Sequence, residues 1–456
     1  MIVMKFGGSS VDTAESIGRV VEIVRRHLDR RPLVVVSAMG KTTNKLLQSA
    51  EAAAAGDTGT ALAGFEELRE THRRQAHGIV SEALRPRLDA ALDGWFAELH
   101  TLLGELAATR ALTPRAADAA AGFGELLASR ILSLALESHG VGSAWVDCRQ
   151  VLVTDAAFTR AKPLYGPTDA RLRQAVEPAV GRGTVPVVGG YVGATPEGVT
   201  TTLGKEGSDF SAAIFGAALG AEEVQIWTDV DGIMTADPRV VPGARRVPSL
   251  SFAEALELAC SGAKKPHPGT LEPASRANVP IRILNSTRAE GPGEGTLIGR
   301  RETGRPGRPV IQSITCRANT CSLLLLPLGP WAGDGFLPRV LEAARRFRPS
   351  LMTLSTEAKS ADLALDQGDS LTEIQSELQR LARVDVGPGS GVVSVVSEDL
   401  ATHPELVERV LDAARSWKPR LVRDGAACAT VRCLVDEADL HEVVATLHDR
   451  LADHLP

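Results

Sequence analysis

The sequence predicts an α/β protein: a three-layer sandwich around a largely parallel sheet, followed by two smaller βαββαβ units. Three observations carry this. A strand, a loop, a helix and a second, wholly apolar strand occur within the first forty residues or so, the usual opening of a parallel-sheet domain. Short apolar runs then recur, mostly separated by helical stretches, to about residue 290. Finally, Thr287 to Pro309 is rich in Gly, Pro and Arg, and the rhythm changes beyond it.

Taken in order, Ile2 to Phe6 reads as a short apolar strand interrupted by Lys5 and followed by Gly7-Gly8-Ser9-Ser10. Asp12 and Glu15 have capping-box spacing for a helix that runs to about Arg31 and stops at Pro32. Leu33 to Val36 reads as a buried strand ending in a second loop, Ser37 to Asn44. Residues 43–140 have helical spacing. Within them, Gly122-Phe123-Gly124-Glu125 places a carboxylate after two glycines, at the expected start of a helix from Leu126 to His139. There the helix dipole favours an acidic residue. Ala144 to Cys148, Val151 to Thr154, Val185 to Gly190, Val224 to Val230 and Pro280 to Leu284 are further strand candidates. Thr200 to Ala213, TTTLGKEGSDFSAA, is a glycine loop running into a helix, with Ser208 or Asp209 as its N-cap. Free N–H groups at such a terminus favour an anion.

Beyond the boundary, Val310 to Pro327 is strand-like, Gly335 to Arg346 a helix, Ser360 to Leu365 a strand and Ser370 to Leu381 a helix. Gly391 to Val396, Pro404 to Ser416, Ala429 to Val435 and Leu440 to Leu451 repeat the alternation. Two ferredoxin-like units fit this succession. The expected division is residues 1–300, a linker 301–310, and residues 311–456.

Composition narrows the function. Of 456 residues, 44% are hydrophobic, 23% charged and only 4% aromatic. That argues for packed helix-on-sheet layers and against an aromatic nucleic-acid platform. A net charge of −6 gives no field for polyanions, so no nucleic-acid partner is expected. Six cysteines do not make a disulfide scaffold. Cys316/Cys321 and Cys428/Cys433 are each five apart, on opposite faces of a strand, which disfavours a metal clip. No signal-peptide pattern or apolar run of membrane-spanning length is apparent, so a cytoplasmic location without a membrane partner is expected.

Three glycine loops near strand ends suggest a phosphate-bearing ligand, because strand C-termini form the crevice of an open parallel sheet. The usual nucleotide signatures are missing: Gly40-Lys41-Thr42 imitates the end of a P-loop, but position 35 is Val. Phosphoryl transfer without a P-loop needs lysines and backbone donors against phosphate charge. Lys5, Lys205 and Lys264 lie in or beside loops and could serve. Trp227 to Arg239, WTDVDGIMTADPR, could hold a ribose or base with carboxylates and a phosphate with arginine; a solvated acidic turn is the other reading.

Together these stretches resemble the aspartokinase family. Lys5 to Val11, Ser37-Ala38 with Thr43-Asn44, Gly124-Glu125, TTTLGKEGSDFSAA, WTDVDGIMTADPR and Gly262 to Pro268 (GAKKPHP) occur in that family's order over nearly the whole chain. The C-terminal part resembles its tandem ACT region, and the absence of a following dehydrogenase domain resembles the monofunctional, lysine-sensitive branch. The resemblance implies an amino-acid-kinase fold, with transfer of a phosphoryl group from ATP, with Mg2+, to L-aspartate. Lys5 would screen the transferring phosphoryl group, with Gly7, Gly8 and Ser9 as backbone donors. Ser37 and Thr43 would line the acceptor site, and Glu125 would pair with the substrate ammonium. Lys205, Ser208 and Asp209 would meet the substrate and organise the centre. Thr228, Asp229, Arg239 and Lys264 would hold the nucleotide, with Met234 in place of a common aromatic. The metal ligands stay unassigned. A homodimer through the ACT units, with an amino-acid effector bound there, is also implied.

The chain departs from the pattern in places. Lys205 replaces the family's arginine, a point charge for a bidentate grip. Lys265-Pro266 replaces an apolar pair. Met352 stands where an acidic residue helps bind a lysine effector, so weak or absent lysine inhibition is expected. The Lys205 and Lys265-Pro266 changes leave two alternatives: a kinase for another small amino-acid carboxylate, or a catalytically weak amino-acid-sensing subunit.

Overall fold

The computed structural model describes residues 1–263, 265–288, 294–300, 309–328, 335–347, 351–357, 360–366, 371–387, 389–422 and 429–456. The chain divides into two units, Met1–Gly232 with Gly269–Arg300, and Ile233–Pro268 with Arg301–Pro456. Residues 233–268, read from the sequence as part of the first domain, thus group with the second unit.

The main sheet of the first unit contains β1 (Ile2–Phe6), β2 (Pro32–Val36), β3 (Ser143–Val146), β4 (Val185–Gly189), β5 (Glu223–Thr228), β6 (Ile281–Asn285) and β7 (Thr296–Gly299), and Val192–Ala194 pairs with Thr200–Thr202 in a separate hairpin. The main-sheet strands lie in the order β3-β4-β2-β1-β5-β6-β7. The first six are parallel and β7 runs antiparallel to β6. The C-terminal ends of the parallel strands therefore share one edge, where a ligand crevice belongs.

Period-two alternation decides what each face carries. Ile2, Met4, Phe6, Val34, Val36, Val187 and Trp227 enter one hydrophobic core. Lys5 points the other way and is still buried. The core is closed by α1 (Ala14–Arg26), α2 (Thr42–Ala55), α3 (Thr58–Ile79), α4 (Arg85–Thr109) and α5 (Pro114–Ser138). The capping box of α1 is Thr13 with Ser16, not Asp12 with Glu15.

The start of α5 corrects the sequence reading. Thr113 accepts from the Ala116 N–H and Pro114 takes the first helical position, a strong start signal. Gly122 to Glu125 therefore lie inside a long helix, and Glu125 is no solvated first-turn residue. Glycine costs about 1 kcal/mol in a helix interior. Here it permits contact, since a Cβ on Gly124 would stand 2.7 Å from the Ala38 Cβ. The length and hydropathy of α5 would also suit a membrane span, contrary to the sequence expectation, but 89% of its apolar window is buried inside the protein. The last helix needed here, α6 (Gly207–Leu219), begins after Glu206 in left-handed conformation. Ser208 and Asp209 sit in its first turn and neither is its N-cap.

The second unit contains a sheet built on β8 (Ser313–Pro327). Around it are α7 (Phe336–Phe347), β9 (Leu351–Glu357), β10 (Ser360–Asp366), α8 (Leu371–Leu378) and β11 (Ala382–Val386). Then follow β12 (Ser390–Val396), α9 (Pro404–Ala414), β13 (Arg420–Val422), β14 (Thr430–Asp436) and α10 (Leu440–Arg450). The second half of β8 pairs with β10 and β11, completing one ferredoxin-like module. Its first half pairs with β12, so one long strand serves both modules. The sequence missed β9, β11 and β13. Cys148, Cys260, Cys316, Cys321 and Cys433 are free thiols, and Cys428 lies outside the described residues.

Candidate active site

The strand ends of the first unit are tied to one another. The Gly7 N–H donates to the Trp227 carbonyl at 3.1 Å, and the Gly40 N–H donates to the Gly8 carbonyl at 3.0 Å. The Ser286 hydroxyl donates to the Thr228 carbonyl at 3.0 Å, leaving the Ser10 hydroxyl to donate to Ser286 at 2.8 Å. Of the three expected backbone donors, Gly7 is thus already engaged. The N–H groups of Gly8 and Ser9 open a short 3₁₀ turn and have no partner among the described residues. Position 8 admits only glycine without movement, because a Cβ would approach the Ala38 carbonyl to 2.8 Å.

Beside this loop lies a buried ion pair. Lys5 Nζ stands 2.5 Å from Asp209 Oδ1, with side chains 6% and 1% exposed. β1 supplies the lysine and the first turn of α6 the carboxylate, where the helix dipole favours its charge. Burial without a counter-charge would cost either ion several kcal/mol, a cost that the pairing offsets.

Glu125 is handled differently. Its Oε1 accepts from the Ala38 N–H at 3.2 Å, while Oε2 is buried with no partner. Burial pushes its carboxyl up to about 8, against the opposing pulls of the Ala38 N–H and the Lys5 charge. The group is short of hydrogen bonds where a ligand cation would satisfy it.

The other expected residues are placed as follows. Ser37 is half-buried and its N–H donates to the Phe6 carbonyl at 3.0 Å. Thr43 is half-buried in the first turn of α2. Ser208 is buried against Gly190. Lys205 is exposed and forms no ion pair among the described residues. Thr228 is buried at the end of β5, and its hydroxyl donates to the exposed Asp229 at 3.1 Å. The structure therefore brings Lys5, Asp209, Glu125 and the Gly8-Ser9 donors to one edge, but contacts do not join Lys205 to them. Met234 and Arg239 belong to the second unit. There the Met234 carbonyl accepts from the Ser313 hydroxyl at 2.8 Å, and Arg239 is held by its neighbour Asp237. Lys264 lies outside the described residues.

Two residues escaped the sequence reading. Tyr191 follows the double glycine after β4 with φ 61°, and burial pushes its phenol up to about 12. Asp118 lies on α5 two turns before Glu125, a helical spacing that could have flagged it.

This lysine-and-carboxylate site at the open edge of a parallel sheet, without a P-loop, has a match among known proteins. The chain belongs to the amino acid kinase family, which residues 1–285 match. Within that family its relatives are aspartokinases. The chain is 33% identical to lysine-sensitive aspartokinase 3 of Escherichia coli K12, over 99% of each chain. It is 32% identical to chloroplastic aspartokinase 2 of Arabidopsis thaliana, over 98% of this chain and 83% of that protein. Among solved structures, E. coli aspartokinase III in complex with aspartate and ADP (R-state) matches with a TM-score of 0.83 and 31% identity, covering 99% of this chain and 100% of that one. The same enzyme in complex with lysine and aspartate (T-state) matches with a TM-score of 0.79 and 31% identity, covering 99% of each chain.

Proposed function

We propose that this chain transfers the γ-phosphoryl group of ATP to the β-carboxylate of L-aspartate, giving 4-phospho-L-aspartate and ADP, the first step toward lysine, threonine and methionine. The observation that carries this is the buried Lys5–Asp209 pair beside the unpartnered Gly8 and Ser9 N–H groups and the under-bonded Glu125. A β-carboxylate oxygen bonds to the γ-phosphorus as the bond to the bridging oxygen breaks, and the electron pair leaves with ADP. The acceptor is already ionised at neutral pH, so no strong general base is required. Positioning and charge screening supply the catalysis.

In this reading Lys5 neutralises charge on the transferring group, Gly8 and Ser9 donate to its oxygens, and Asp209 holds Lys5 in place. Glu125 takes the substrate ammonium, which restores its ionised form. Ser37, Thr43, Ser208 and Lys205 bind the rest of the amino acid. Thr228 and Asp229 form the nucleotide side of the first unit. Among the described residues no cluster of three or more His, Cys, Asp or Glu is gathered for an ion. That fits Mg2+, which prefers substrate phosphates and water to an all-protein cage and would neutralise phosphate charge. A cytoplasmic homodimer with an amino-acid effector on the ferredoxin-like modules completes the proposal.

A hydroxamate assay with ATP, Mg2+ and a panel of small acidic amino acids tests it. Hydroxamate from aspartate is expected. Product from another acceptor alone would show that Lys205 marks a changed substrate. No product from any acceptor would point to a sensing subunit.

A further inference from the structure

Asp118 and Glu125 lie seven residues apart on α5 and so share a face. Asp118 is 1% exposed and its carboxylate is fully employed. Oδ2 accepts from the N–H groups of Thr159 at 2.8 Å and Thr202 at 3.0 Å, and Oδ1 accepts from the Thr202 hydroxyl at 2.6 Å. Both donors border the loop from Leu203 to Ser208. Thr202 ends the hairpin strand Thr200–Thr202 that leads into it. The Thr159 carbonyl lies under Gly204, where a Cβ would approach it to 3.2 Å.

Tyr191 closes the same network. Its carbonyl accepts from the Leu203 N–H at 2.9 Å, and its own N–H donates to the Ser211 hydroxyl at 3.1 Å. Three non-glycine residues around this loop are left-handed: Thr159 at φ 70°, Tyr191 at φ 61° and Glu206 at φ 56°. Such conformations persist only where the surroundings enforce them, and they gather at ligand clamps.

We propose that Asp118 is a positioning residue for acceptor recognition. Through Thr202 and Thr159 it fixes the backbone from Gly204 to Ser208, so that Lys205 and Ser208 meet the amino-acid substrate. Asp118 itself touches no reacting group. The inference rests on the aspartate kinase reading above and adds to it a residue that sets acceptor affinity from behind the loop.

Steady-state kinetics on the full-length chain tests this. Asp118→Asn is expected to raise KM for aspartate roughly ten- to hundredfold, with kcat within about threefold and KM for ATP unchanged. Thr202→Val removes one hydroxyl while keeping the side-chain shape. It should move KM in the same direction and carries the test should Asp118→Asn fail to fold. Thr202→Ser, which keeps the hydroxyl, should behave as wild type. An unchanged KM for aspartate in the folded variants, or an equal rise in both KM values, overturns the inference while leaving the aspartate kinase reading intact. A wild-type chain that neither binds nor phosphorylates aspartate overturns that reading, and this inference with it.

Discussion

Two carboxylates on one face of α5 are buried alike and served oppositely. Asp118 receives three hydrogen bonds from two neighbouring segments, whereas Glu125 receives one and keeps an oxygen without a partner. A buried acceptor left short costs roughly 1–3 kcal/mol, so the fold has no reason of its own to leave Glu125 in that state. The fully bonded group belongs to the scaffold, and the under-bonded one belongs to whatever binds. Asp209 lies between these cases, its charge met by Lys5.

The largest expected effect breaks the comparison at Lys5, whose charge eases the burial of Glu125 as well as pairing with Asp209. Lys5→Ala should lower kcat by roughly 10²–10³-fold, the size seen when one preorganised donor to a transition state is removed. The far-ultraviolet circular dichroism should be unchanged. A folded Lys5→Ala variant with near wild-type turnover would remove Lys5 from the chemistry.

Glu125→Gln sharpens the contrast. Losing a charge-assisted bond to the substrate ammonium, worth about 1.5–3 kcal/mol, should raise KM for aspartate by roughly ten- to 150-fold. The same substitution should not destabilise the ligand-free protein. The Glu125 carboxyl is raised from 4.5 to about 8, so the folded state binds the extra proton. Its contribution to stability is full below 4.5 and is lost as pH rises through about 8. Between those limits stability should fall by about 1.4 kcal/mol per pH unit from this group alone, and Glu125→Gln should abolish that slope in urea titrations. Asp118→Ala, by contrast, strands three donors and should lower stability by a few kcal/mol. Equal stability losses at the two positions would erase the distinction.

Legibility followed the same divide. The parallel sheet was readable because its strands are continuous apolar runs, and Lys5 stood out as the one charge in the first of them. Glu125 was found by its glycines but placed wrongly, because the start signal at Thr113-Pro114 precedes the motif by three helical turns. Its burial came from the approach of Ala38, a contact distant in sequence. Asp118 and Tyr191 were illegible for the same reason: their partners arrive through the segment 200–203 and the Thr159 loop. The missed strands β9, β11 and β13 flank or complete pairings that no local pattern announces.

Lys205 gives a smaller effect and tests the acceptor loop directly. It is exposed and forms no ion pair among the described residues. A guanidinium would offer a planar fork to a carboxylate in place of a flexible point charge. Lys205→Arg should lower KM for aspartate by about three- to tenfold with kcat little changed. No improvement would mean that the loop Asp118 anchors is set for an ammonium rather than a fork.

The smallest effect concerns lysine. E. coli aspartokinase 3 is lysine-sensitive by name, and its structure with lysine and aspartate is a T-state. In this chain Met352 lies on β9 at the position where the resemblance puts an acidic effector ligand. A charge-assisted bond to the effector ammonium is worth about 1.5–3 kcal/mol, or roughly ten- to 150-fold in affinity. Its loss should weaken lysine binding by that factor, so lysine added at millimolar concentration should slow turnover little, by less than about twofold. Met352→Asp should bring inhibition back into that range without changing KM for aspartate at zero lysine. Strong inhibition of the wild-type chain would show that other groups bind the effector ammonium. The under-bonded carboxylate in the kinase unit would then remain a reliable marker of a ligand, while a missing carboxylate in the regulatory unit would not mark a lost one.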